Sequence, residues 1–120
     1  MAASETELQE LLPLTPAVFH ILLVLSSGPM HGYGIMKEVD ALTGGQIAMG
    51  PGTLYGTIKR MLQAGFIEET AVPPGEDVDD RPRRYYRLTD GGRRVLEAEA
   101  TRLAHLVRVA RQKRVLLGAD

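Results

Sequence analysis

The side chains best able to do chemistry in this sequence are hydrogen-bonding and cationic. Between residues 52 and 64, Leu54, Ile58, Met61 and Leu62 recur at helical spacing and turn inward, which leaves Thr53, Thr57, Arg60 and Gln63 on the opposite side. Arginine, glutamine and threonine suit the edges of guanine, adenine and thymine, and a major groove admits one helix of this size. Tyr55 and Lys59 lie one turn apart on a flank, placed for phosphates rather than bases. A second group, Arg81, Arg83 and Arg84, stands where a polar loop returns into an extended stretch, within reach of phosphate or a minor groove. A solvated helix face, or a protein-binding surface, would carry some of the same residue types. Lys59, Arg60 and the loop arginines favour DNA.

Catalytic and metal chemistry find no such arrangement. His20, His31 and His105 have no second ligand at helical spacing, and His20 sits in an apolar stretch as a core histidine would. Cysteine is absent, which excludes disulfides, zinc–thiolate sites and cysteine nucleophiles. Ser26-Ser27, Gly32-Tyr33-Gly34 and Gly50-Pro51-Gly52-Thr53 match no nucleophile elbow, dinucleotide fingerprint or phosphate loop. The carboxylates Glu76, Asp77, Asp79 and Asp80 lack the spacing of a calcium loop. The expectation is a non-enzyme with no metal and no cofactor.

Positioning those side chains requires a series of helices and one hairpin. Ser4 and Glu7 have capping-box spacing, and with Leu8, Leu11 and Leu12 they predict a short accessory helix from about Glu5 to Leu12. Thr15 before Pro16 predicts a core helix running to Ser27, where Gly28 and Pro29 stop it. A third helix runs from Gly32 or Tyr33 to Leu42, with Ile35, Met36, Val39 and Leu42 inside. Ile47 to Met49 reads as a minimal strand, followed by the recognition helix from Gly52 to Ala64. Phe66, Ile67 and Val72 read as one strand and Arg83 to Leu88 as its hairpin partner, which makes Pro73 to Pro82 a wing loop. The acidic run in that loop either swings away, pairs with the arginines until DNA displaces it, or keeps the loop soluble. Thr89 caps a last helix, weakened at Gly91 and Gly92, that extends to about Leu117. Its Leu96, Leu103, Ala110 and Leu117 repeat every seven residues, joined by Leu106 and Val107, and form a seam for a second copy of the chain. The competing reading packs the first half on the chain's own core and lets the second half fray.

A chain of 120 residues with 44% hydrophobic and 24% charged residues holds one ordinary core. Residues 1–88 are expected to form a winged helix-turn-helix with its accessory helix, and residues 89–120 the dimerisation helix. The net charge of −1 gives no bulk attraction to DNA, yet no acidic residue occurs from Ala41 to Ile67. The longest apolar stretch, Ala17 to Leu25, contains His20 and is too short for a membrane span, so a cytoplasmic protein with no membrane partner is expected.

The residues also resemble the PadR-like transcriptional regulators. The phrases are Leu14-Thr15-Pro16, His31-Gly32-Tyr33-Gly34-Ile35, Gly50-Pro51-Gly52-Thr53-Leu54-Tyr55, Leu62-Gln63-Ala64-Gly65-Phe66-Ile67-Glu68 and Arg81-Pro82-Arg83-Arg84-Tyr85-Tyr86-Arg87-Leu88-Thr89, with Gly92-Arg93 following. The resemblance implies a mainly α (α+β) fold: a winged helix-turn-helix with a two-stranded wing and a long C-terminal dimerisation helix. It further implies a homodimer on double-stranded DNA, usually a repressor, often released by a small-molecule effector. DNA-contacting family positions fall on Thr53, Tyr55, Lys59, Arg83 and Arg84, while Tyr33 either touches a phosphate or packs. No aromatic residue lies on the last helix to sandwich a flat effector. Met30, Met36, Met49 and Met61 either line a flexible pocket or, as their apolar surroundings favour, fill the core.

Overall fold

The computed structural model of the chain describes residues 4–75 and 83–117. Among the described residues, five helices and three short strands follow in the order α1 (Glu5–Glu10), α2 (Pro16–Leu25), β1 (Met30–His31), α3 (Gly32–Leu42), α4 (Pro51–Gln63), β2 (Ile67–Thr70), β3 (Tyr85–Leu88) and α5 (Asp90–Gln112). The helix starts follow from capping chemistry. Ser4, Thr15 and Thr89 each accept a backbone N–H from the residue three places on, satisfying a donor that the first turn leaves orphaned. At α3 the cap is His31, whose Nδ1 accepts the Gly34 N–H at 3.0 Å.

The core gathers around α2, which packs against α3, α4 and α5. Ile21 and Leu22 meet Ile35 and Val39 of α3, Leu54, Ile58 and Met61 of α4, Ile67 and Tyr86 of the sheet, and Val95 and Leu96 of α5. Each such aliphatic side chain contributes roughly 1.5–3 kcal/mol by leaving water. Met49 and Met61 are buried in this core and Met30 and Met36 pack against it.

The sheet has three antiparallel strands in the order β1-β3-β2, one more than the hairpin expected from the sequence. The added strand pairs Met30 with Tyr86 and His31 with Tyr85, and no strand forms at 47–49. In β2, Ile67 opposes Leu88, Glu69 opposes Tyr86 and Thr70 opposes Tyr85. Cross-strand partners share a face, so Met30, Ile67, Tyr86 and Leu88 point to the core and His31, Tyr85 and Arg87 to the other side.

Helix α4 is rotated from its expected setting. At about 100° per residue, Thr57 and Leu62 flank the Leu54–Ile58–Met61 stripe on opposite sides, roughly 60° and 80° from Leu54. The helix turns toward Thr57, which is buried, and leaves Leu62 37% exposed, reversing both expected placements.

Helix α5 also differs. It ends at Gln112, five residues before Leu117, in a Schellman turn: Val115 N–H bonds to Ala110 O at 3.0 Å and Arg114 N–H to Arg111 O at 3.0 Å. Arg114 takes the left-handed position with φ 61°. Leu117 therefore lies off the helix and is 81% exposed, and Leu96 is buried in its own chain's core rather than on a free seam. The start of α5 is set by close packing, because a Cβ on Gly92 would collide with the backbone of Phe66. Farther along, the buried Glu99 accepts the Leu14 N–H at 2.8 Å and binds Arg102 Nε at 2.6 Å, tying the α1–α2 link to α5. Among the described residues, no helix is long and apolar enough to cross a membrane.

Candidate nucleic-acid interface

Helix α4 begins at Pro51 behind Gly50, which supplies no side-chain cap and leaves the first-turn N–H groups open. Its exposed side carries Thr53, Tyr55, Lys59, Arg60 and Gln63. Thr57 is absent from that side, but it acts on its neighbours. Its hydroxyl donates to Thr53 O at 2.7 Å and accepts from Arg60 Nη2 at 3.2 Å, so a buried side chain steers the exposed guanidinium.

Tyr55 leans from α4 onto the first turn of α3. The space is available because residue 32 is glycine: a Cβ there would stand 2.6 Å from the Tyr55 hydroxyl oxygen. Tyr55 stays half exposed at the rim of an open cleft of about 810 Å³ lined by His31, Gly32, Tyr33, Arg83, Arg84 and Tyr86 as well. Three elements distant in sequence thus converge: the start of α3, the first turns of α4 and the base of the wing.

Aromatic and cationic groups alternate around this cleft. The His31 ring lies parallel to Tyr33 with centroids 6.4 Å apart and edge-on to Tyr85 at 5.3 Å. Tyr33 carries two cations near its ring, Lys37 Nζ at 5.4 Å and Arg83 Cζ at 6.0 Å from the centroid. Arg83 Nη1 also lies 3.0 Å from His31 Nε2. Arg84 pairs with Glu69 at 3.4 Å, and Arg87 with Glu68 at 2.9 Å. Burial, and secondarily the Glu69 carboxylate, push the Tyr86 hydroxyl above its ordinary pKa, so it remains a neutral donor. An open cleft rimmed by arginines and a helix with polar, uncapped first turns can receive a polyanion. Among the described residues no group of acids and histidines could hold a metal ion.

Residues 21–98 match the family described as Transcriptional regulator PadR-like. The chain belongs to that family. PadR-like proteins regulate transcription and are not enzymes. A transcriptional regulator of Mycobacterium tuberculosis, Rv3488, is 34% identical over 89 residues, covering 74% of this chain and 77% of its own. An uncharacterized 37.1 kDa protein in a Streptomyces fradiae transposon is 37% identical over 86 residues, and this chain spans only 22% of its length. A PadR family regulator from Clostridium difficile shares the fold at a TM-score of 0.66 and 23% identity, with 82% of this chain and 97% of that one covered. Bacillus subtilis PadR, solved with operator DNA, aligns at a TM-score of 0.58 and 24% identity over 72% of this chain and 47% of its own.

Within this PadR-like fold, Thr53, Tyr55, Lys59, Arg60 and Gln63 lie together on α4, and Tyr33, Arg83 and Arg84 join Tyr55 around the cleft. Arg81 and the acidic run 76–80 lie outside the described residues. The sequence reading missed His31 as a cap, Gly32 as the seat of Tyr55, and Tyr86 as a cleft wall. For His31 a signal existed: a residue with a side-chain acceptor immediately before a helical pattern is a cap candidate. For Tyr86 none did, since the strand pairing that places it spans the chain.

Proposed function

We propose that this PadR-like protein is a homodimeric repressor that inserts α4 into the major groove of an inverted-repeat operator. The observation that carries this reading is the convergence of the α4 polar face with Tyr33, Arg83 and Arg84 around one cleft. Thr53, Arg60 and Gln63 read base edges; Tyr55, Lys59 and Tyr33 anchor on phosphates, and Arg83 and Arg84 follow the backbone beside the groove. The operator DNA bound to the Bacillus subtilis relative supports the same use of the fold here.

Dimerisation is the second part of the proposal. Leu106 and Val107 stand exposed on α5, next to the half-buried Leu103 and Ala110, and no other element among the described residues covers them. A second α5 would remove that stripe from water and set two copies of α4 to read half-sites about 34–36 Å apart, one DNA turn. Residues 1–88 then serve as the reading unit and 89–120 as the pairing unit.

A gel-shift series with DNA from upstream of the protein's own gene tests the reading. The Tyr55→Ala, Lys59→Ala double variant should lose most binding, and removing Lys59 alone should make the salt dependence shallower by about one unit. Binding indifferent to these changes, or no preference for that DNA over random sequence at moderate salt, overturns the proposal.

A further inference from the structure

Glu69 projects from β2 on the side of the sheet that carries the cleft residues Arg84 and Tyr86. It opposes Tyr86 directly, and Arg84 precedes Tyr86 by two residues, so all three point the same way. Arg84 and Tyr86 line the cleft with Tyr55. The Glu69 carboxylate reaches Arg84 Nη1 at 3.4 Å, with the two side chains 51% and 79% exposed. The same carboxylate is a cause, after burial, of the raised Tyr86 pKa, which places its charge inside the cleft's electrostatic field. By contrast, Glu68 pairs with Arg87 across the strands on the other face of the sheet.

An ion pair this exposed contributes little to folding, because water and salt screen it. Its position matters more than its strength. A carboxylate beside a cleft that receives phosphate repels the backbone, and it also occupies a guanidinium that the backbone would use. We propose that Glu69 is an internal counter-ion at the DNA interface, holding Arg84 in place and exchanged for a backbone phosphate when DNA docks. This inference rests on the operator-binding reading above and adds to it a residue that sets backbone affinity. Exchange of one anion for another means that docking Arg84 gives less net counterion release than docking a free arginine would, because the freed carboxylate takes up a cation. Each phosphate neutralised by a free cation contributes a slope of about −0.9 to log affinity against log salt, or roughly eightfold per decade of salt.

The test uses full-length protein and fluorescence anisotropy with a labelled random duplex and the upstream duplex, from 0.05 to about 0.5 M salt. Glu69→Gln should bind the random duplex up to about eightfold tighter at low salt and steepen the slope by up to about one unit. The gain should vanish in an Arg84→Gln background, and Glu68→Gln should leave affinity within about twofold. Unchanged or weaker binding by Glu69→Gln overturns the inference. So does a gain that persists without Arg84, or an equal gain from Glu68→Gln, since either would reflect overall charge. Wild-type protein that binds neither duplex at the lowest salt sinks the operator reading and this inference together; wild-type binding without the Glu69–Arg84 coupling sinks this inference alone.

Discussion

Replacing Glu99 should separate the contributions of one buried carboxylate. The side chain is 2% exposed on α5, accepts the Leu14 N–H at 2.8 Å, and holds Arg102 through contacts of 2.6 and 3.2 Å. Glu99→Ala leaves the partly buried Leu14 N–H without an acceptor, a loss of about 1–3 kcal/mol. The void adds about 1 kcal/mol, whereas Arg102, one-third exposed, turns to water and adds little. A total of about 2–4 kcal/mol in a chain of this size lowers Tm by roughly 8–16 °C. Glu99→Gln keeps an oxygen for Leu14 and loses only the charged bonds, so it should cost about 1 kcal/mol and roughly 4 °C. Thermal unfolding followed by circular dichroism at fixed protein concentration gives both values.

The pH dependence has a definite sign. The Arg102 hydrogen bonds, opposed by burial and assisted by the Leu14 N–H, hold the Glu99 carboxyl below its ordinary pKa. A depressed folded pKa stabilises the protein fully above the unfolded value of about 4.3, and that stability is lost as pH falls through the folded pKa. The margin of wild type over Glu99→Gln should therefore be constant near neutrality and shrink in acid. A Glu99→Ala protein melting within about 2 °C of wild type, or a margin that widens in acid, refutes this reasoning.

Other substitutions probe the packing and the interface. Gly92→Ala drives a Cβ into the Phe66 backbone and should destabilise by about 3 kcal/mol or more, whereas Gly91→Ala, with nothing nearer than 3.6 Å, should stabilise by about 0.5–1 kcal/mol. Chemical denaturation compares the pair, and equal effects contradict the close approach. Gly32→Ala should displace the half-exposed Tyr55 ring, leaving the melting temperature nearly unchanged while weakening operator binding as much as Tyr55→Ala; normal binding would mean that Tyr55 has another seat. Leu106→Glu places a charge on the exposed stripe of α5 without touching the core, so sedimentation should report a monomer. A dimer of undiminished affinity rules out that face as the interface.

The helices were legible because their signals are local. Ser4, Thr15 and Thr89 cap donors three residues away, and the 3.6-residue period of α3 and α4 depends on no distant partner. The same locality explains the errors. Periodicity locates the stripe on α4 but leaves its rotation open by one residue on either side, and Thr57, with its hydroxyl bonded to Thr53 O, can be buried without leaving that hydroxyl unpaired. The seven-residue repeat on α5 was real, yet Leu96 was taken by the chain's own α2 and Leu117 was lost past the Arg114 turn.

The sequence by itself determined the caps at Ser4, Thr15 and Thr89 and the inward stripe of Leu54, Ile58 and Met61 on α4, together with the family phrases that carry the resemblance. Only the tertiary structure decided how far the proposed DNA-facing surface extends beyond that helix. Strand β1 exists because Met30 and His31 found Tyr86 and Tyr85 more than fifty residues away. That pairing brings His31, Gly32 and Tyr33 beside Arg83, Arg84 and Tyr86, and α4 lays Tyr55 across Gly32. Such contacts are set by strand register and by the space a missing Cβ leaves. Neither has a period that a single chain of letters displays.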